Sequence, residues 1–247
     1  MRWSFLLCVA GVLLSTEPRR TTPDAAALIG KFEAAYRSSK TLRTTFLERY
    51  FDNGKLVRSD SGVAYFGKPG KMRWEYQSPE LNLYVIDGKW SWFYVPADHT
   101  VTKMPVKQSS DSRTPFSLLA GEMRVSRVCE SVIIDSTNEA KSAGGVVLRC
   151  NFRTAHHDDG HGANPKNGRS ETENSYALFE LDPANGNLLR VLIVDPGGVT
   201  VEFQFANWEF NPNVNASMFQ FHPEKGVAIV NGDFGANSGT ARPAEDR

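Results

Sequence analysis

A surplus of charge of either sign is missing from this 247-residue chain: 28 Lys and Arg stand against 28 Asp and Glu. Without a basic excess there is no electrostatic footprint for DNA or RNA, so nucleic acid is excluded as a partner. Cysteine is scarce, with only Cys8, Cys129 and Cys150 and no C-x-x-C pair, which argues against a dithiol redox catalyst. Long apolar runs are missing too. The longest, Trp3 to Ser15, would span about 20 Å as a helix against a hydrocarbon core of about 30 Å, so no stable membrane insertion is expected. Also absent are G-x-S-x-G, H-E-x-x-H, a phosphate-cradling P-loop and a G-x-G-x-x-G opening a helix. Catalysis therefore has no residues to stand on, and neither an enzyme nor a cofactor is expected.

What is present reads as an exported globular protein. Met1-Arg2 followed by the short apolar block has the form of a secretory signal peptide over about residues 1–20, with cleavage between about Ser15 and Pro23. Its removal takes away three Arg and one Glu, leaving 25 basic and 27 acidic residues. Cys8 follows Leu6-Leu7, a poor context for lipidation, and belongs to the discarded segment. In an oxidising compartment Cys129 and Cys150 flank a turn expected at Asn138 to Gly145; a cross-strand disulfide and two separate buried thiols are both compatible with that spacing.

The body of the chain alternates in strand fashion. Lys71-Met72-Arg73-Trp74-Glu75-Tyr76 places every second residue on one face, and Val199, Val201, Phe203 and Phe205 do the same. About eleven such segments lie between residues 42 and 209, separated by Gly, Pro and Asn turns, which predicts one meandering antiparallel sheet large enough to curl into a barrel or half-barrel. Its inward face is expected to carry Tyr65, Met72, Trp74, Trp90 or Trp92, Phe203 and Phe205. Two helical segments are available to cover it: one after Pro23-Asp24, with Leu28, Ile29, Phe32 and Tyr36 at helical spacing, and Thr114 to Ala120. One domain over residues 21–230 is expected, with a polar insertion loop at 155–174 and a disordered tail at 231–247. The cluster His156-His157-Asp158-Asp159-Gly160-His161 holds metal-ligand side chains, but in a Gly- and Asn-rich stretch without supporting residues it reads as a solvated loop, and no metal is expected.

The stretch Gly62 to Pro96 is the most informative. Gly62, Lys68-Pro69, Trp74, Tyr76, Pro79, Asp87-Gly88-Lys89 and Trp92-Phe93-Tyr94-x-Pro96, followed by Thr114-Pro115-Phe116-x-Leu118-Leu119 and Phe219-x-Phe221-x-Pro223-x-x-Gly226-Val227, resemble in order the outer-membrane lipoprotein carrier protein (LolA) family. The resemblance implies an incomplete antiparallel β-barrel of about eleven strands with an α-helical lid. It implies a monomeric periplasmic chaperone whose partners are triacylated lipoproteins, an inner-membrane ABC exporter and an outer-membrane receptor. The alternative in the same fold is a membrane-anchored LolB-type receptor or a related half-barrel sensor; a metal-dependent hydrolase using His156 to His161 is the alternative of another class. The acyl-binding cavity is expected to be lined by Tyr65, Met72, Trp74, Tyr76, Trp92, Phe116, Leu118, Leu119, Phe203 and Phe205, with Lys68 as the lid latch where the best-known pattern has Arg.

Overall fold

Strand alternation and short turns produce a single sheet. The structure, a computed structural model, describes residues 24–106, 119, 124–152, 176–195 and 197–232. A helix, α1 (Ala25–Ser38), precedes twelve strands: β1 (Thr41–Asp52), β2 (Lys55–Gly67), β3 (Lys71–Ser78), β4 (Leu83–Ile86), β5 (Trp90–Val95), β6 (Thr100–Pro105), β7 (Cys129–Ile134), β8 (Val146–Phe152), β9 (Tyr176–Leu181), β10 (Leu188–Val194), β11 (Val199–Phe210) and β12 (Ala228–Asn231). Their spatial order is β12-β6-β5-β4-β3-β2-β1-β11-β10-β9-β8-β7. Two meanders thus meet where β1 pairs with β11, and the edges β12 and β7 leave the barrel unclosed.

The topology corrects the sequence reading in two places. Ala228–Asn231 forms a twelfth strand, parallel to β6, beyond the eleven segments expected. Four all-exposed residues carry too little alternation to announce a strand; the pairing is decided by β6 beside them. Within the stretch expected to hold strand-like segments, a helical turn, Val125–Val128, precedes β7.

One face of the sheet gathers the main core. Leu42, Phe46, Phe66, Met72, Trp74, Tyr84, Met104, Leu148, Phe179, Val191, Phe203 and Phe205 belong to one buried cluster that reaches from β6 to β8, so the sheet is rolled around its inner face. Helix α1 covers part of that face. Asp24 caps its N-terminus by accepting the Ala26 N–H at 3.2 Å, and Leu28, Phe32 and Tyr36 recur every four residues to present a single apolar stripe. Tyr36 is fixed at both ends: its ring packs edge-on to Trp208 at 5.2 Å, and its buried hydroxyl accepts the Leu188 N–H at 2.9 Å. Burial pushes the Tyr36 phenol well above its ordinary range. A bulge in β11, with Asn207 at φ 56°, restores inward alternation so that Trp208 joins the cluster that Phe205 began.

A smaller cluster forms on the outer face. Val85, Trp92 and Val101 are buried there beneath Phe221, whose ring lies 5.6 Å from Trp92 and 5.5 Å from Tyr94. The C-terminal segment is seated against a glycine: a Cβ at Gly67 would come within 2.6 Å of the Phe219 ring. A Cβ at Gly62 would collide with the Glu75 carbonyl at the β2–β3 bulge, so close strand approach there also requires glycine.

Candidate functional site

The inner face of β1, β2, β3 and β11 concentrates aromatic rings. Trp74 is fully buried at its centre, with ring centroids 4.7 Å from Phe46, 5.9 Å from Phe66, 5.6 Å from Phe203 and 6.2 Å from Phe205. These rings meet because the register places Phe46 between Gly62 and Phe205, and Ala64 opposite Trp74. The small residues at 62 and 64 leave volume that the large rings from neighbouring strands fill. Met72 and Tyr76 flank Trp74 two residues to either side on the same face.

Of the ten residues expected to line one cavity, six share this face: Met72, Trp74, Tyr76, Leu119, Phe203 and Phe205 all belong to the main cluster. Tyr65 and Trp92 do not. Tyr65 lies between the inward-facing Ala64 and Phe66, and so projects outward, half-buried, with the Arg43 guanidinium 5.9 Å from its ring. Trp92 pairs with Val85 and Lys103 on the outer face, where its indole N–H donates to Asp87 at 3.1 Å. Aromatic size did not decide their side; the two-residue period did. Trp90, the other candidate for that inward position, is outward too, packed against the outer cluster with the Lys103 ammonium 4.1 Å from its ring. Phe116 and Leu118 lie outside the described residues, as do the signal segment, most of Thr114 to Ala120, and the His156 to His161 cluster.

Residues the sequence reading did not single out complete the wall: Phe46, Phe66, Tyr84 and Trp208. The alternation Leu42, Thr44, Phe46, Glu48 along β1 was the available signal for the first of these. The same alternation brings a carboxylate inside. Glu48 accepts the Tyr50 hydroxyl at 2.6 Å and the Tyr76 hydroxyl at 2.7 Å. Beside it, Arg58 makes a bidentate contact with Asp60 at 2.6 and 2.9 Å. The hydrogen bonds and charge of Asp60 outweigh partial burial and hold the Arg58 guanidinium above its ordinary range.

Lys68 stands at the opposite end of this face. Its ammonium donates to the carbonyl of Arg37, in the last turn of α1, so a cation meets the negative end of the helix dipole. Burial and then the neighbouring Arg37 charge lower its pKa. The residue expected to latch a lid thus ties the end of β2 to the N-terminal helix.

Cys129 and Cys150 are joined, with Cα atoms 5.3 Å apart, fastening the edge strand β7 to β8. Nearby, the Glu33 side chain of α1 accepts the Val125 N–H at 3.0 Å. Among the described residues no helix is long and apolar enough to cross a membrane, and no group of three or more metal-ligand side chains converges.

Comparison with known proteins agrees with this architecture. Residues 37–142, running from the end of α1 through β1–β6 into the β7–β8 connection, match the family model described as "Outer membrane lipoprotein carrier protein LolA". An outer-membrane lipoprotein carrier protein of Nitrosomonas europaea is 29% identical over 210 residues, covering 84% of this chain and 91% of the relative. Its counterpart in Chromobacterium violaceum is 28% identical over 211 residues, covering 85% and 91%. A crystal structure of an uncharacterized conserved protein from Thermus thermophilus shares the fold, with a TM-score of 0.50 at 14% identity over 84% of this chain and 99% of that one. The family match runs through the strands that wall the aromatic face, and relatives named as lipoprotein carriers align along most of both chains, so the chain is similar to the LolA family over this region.

Proposed function

We propose that this protein is a non-enzymatic periplasmic carrier that takes the acyl chains of triacylated lipoproteins onto its inner face and conveys them from an inner-membrane ABC exporter to an outer-membrane receptor. The observation that carries the reading is the apolar inner wall centred on Trp74, in a chain whose relatives are named as lipoprotein carriers. Each buried methylene contributes about 0.8 kcal/mol, so an acylated anchor cannot cross water unaided. A carrier must bind it strongly enough to extract it and weakly enough to release it. Aromatic and Met walls suit this, because large polarizable surfaces accept chains in varied positions. In the structure the wall is covered by α1, Leu119 and Val125, so loading has to part some of this cover from the sheet. Lys68, holding the end of α1, is placed to influence that step.

The test is native mass spectrometry of what copurifies with the exported protein, followed by transfer of a triacylated lipoprotein in vitro. A stoichiometric lipoprotein or its anchor supports the reading; phospholipid alone points to a general lipid carrier on the same fold. Trp74→Glu is expected to abolish uptake, since a charge on this wall must be desolvated or hydrated at the ligand's expense. Unimpaired uptake by the folded variant would remove Trp74 from the site.

A further inference from the structure

The inner face is apolar along most of its length, which makes two of its residues stand out. Glu48 on β1 and Asp60 on β2 are direct cross-strand partners, both turned inward and only 1% and 2% exposed. Like charges directly opposite one another destabilise a strand pair. Aliphatic residues at both positions would serve the sheet at least as well, because replacing buried charged groups by packed apolar ones is often neutral or stabilising. Sheet stability therefore does not account for this pair.

Their position does suggest a role. Along β1 and β2 the polar groups Glu48, Asp60, Tyr50 and Arg58 all lie toward the β1–β2 hairpin tip, whereas Leu42, Phe66 and Met72 lie toward the Lys68 end. A ligand laid along this face keeps its hydrocarbon among the rings only if its polar linkage comes to the hairpin-tip end.

We infer that Glu48 and Asp60 make the inner face selective for headgroup, admitting an acylated polypeptide N-terminus and rejecting anionic phospholipid. The inference rests on the acyl-carrying reading above and says which acyl ligand is accepted. An N-acylated residue presents amide N–H groups, and carboxylate and phenol oxygens are acceptors for them. A phosphodiester presents only acceptors and a negative charge, and it would meet Glu48 and Asp60, whose two charges the single Arg58 guanidinium on Asp60 only partly offsets, in a poorly hydrated setting where repulsion is strong. Discrimination comes from the group that disfavours the wrong ligand as much as from the one that fits the right one.

The experiment uses the full mature chain with a fluorescent fatty-acid probe, displaced by a synthetic triacylated cysteinyl peptide with a neutral sequence, by phosphatidylglycerol or by phosphatidylcholine. The wild type is expected to prefer the acylated peptide over phosphatidylglycerol. Glu48→Gln and Asp60→Asn, which remove charge at nearly constant shape, should each raise phosphatidylglycerol affinity by about tenfold relative to the peptide. Arg58→Gln should shift the ratio the opposite way, so the inference stays exposed to refutation even where one acidic variant folds poorly. Equal affinity of the wild type for the two ligands, or a ratio that none of the three variants moves, overturns it. Failure of the wild type to take up the probe or any acyl ligand removes the carrier reading itself, and this inference with it.

Discussion

The two faces of the central strands are built from alternating residues of the same segments, yet they bury opposite chemistry. On β11, Phe203 and Phe205 turn inward to the rings around Trp74, while Glu202 turns outward. On β9, Phe179 goes in and Glu180 goes out. The outer face then assembles a nearly buried ionic chain. Arg190 contacts Glu180 at 2.9 Å and Glu202 at 3.2 Å, and Glu202 is also held by Arg49 at 2.5 Å. Glu180 further accepts the backbone N–H groups of Lys141 and Ser142 at 2.9 and 2.6 Å, which folds the β7–β8 loop over this side. The outer charges are matched largely against one another and serve architecture. The inner face is apolar over most of its length, with its carboxylates gathered at the hairpin-tip end. Burial alone does not mark a functional residue; what the buried group is matched against does.

Breaking the outer network should give the largest effect on stability and none on ligand choice. Arg190→Leu leaves Glu180 and Glu202 without a shared cation and is expected to cost about 3–5 kcal/mol, read from urea unfolding, with acyl-probe affinity of the folded protein unchanged. Next is the disulfide, which joins residues 21 apart in sequence. Replacing both cysteines by Ala should lower stability by roughly 3 kcal/mol through the unfolded chain's regained freedom, measured against wild type without reductant.

A matched tryptophan pair sharpens the contrast between faces. Trp74→Leu and Trp92→Leu should each destabilise by about 2 kcal/mol or more, but only the inner variant should weaken acyl-probe binding. Equal binding losses in both would erase the functional distinction between the faces.

Glu180 adds a pH signature. Burial opposes its charge, but hydrogen bonds from Lys141, Ser142 and Arg190 outweigh it and hold the carboxyl below its ordinary value near 4.5. A folded-state pKa that is lowered contributes stability present above the unfolded value and lost as pH falls through the folded one. Glu180→Gln should therefore be less stable than wild type at neutral pH, with the gap narrowing in acid; a gap constant across the acid limb would contradict this assignment. The smallest effect is expected at Lys68, where Lys68→Leu removes one cation from a helix C-terminus and should cost about 0.3–1 kcal/mol. Its larger consequence belongs to release, read as a changed rate of lipoprotein transfer.

Much of the fold could be read directly from the chain. The eleven strand segments follow from two-residue alternation between Gly, Pro and Asn turns, and α1 from the spacing of Leu28, Phe32 and Tyr36. The inner face was legible where alternation ran unbroken: Met72, Trp74 and Tyr76, or Phe203 and Phe205. It was misread at Tyr65 and Trp92, where size was weighed above phase, and Glu48 escaped notice because an isolated carboxylate in a strand looks like a solvated residue until its neighbours are known.

By itself, the sequence determined the strands, their turns, the covering helix and the resemblance to lipoprotein carriers, because these depend on local periodicity and ordered short motifs. Only the tertiary structure decided that β1 pairs with β11, that β12 lies parallel along one edge, that Cys129 meets Cys150, and that Glu48 faces Asp60 within an apolar wall. Those outcomes depend on register between distant segments, and a shift of one residue would have sent every one of these side chains to the other face.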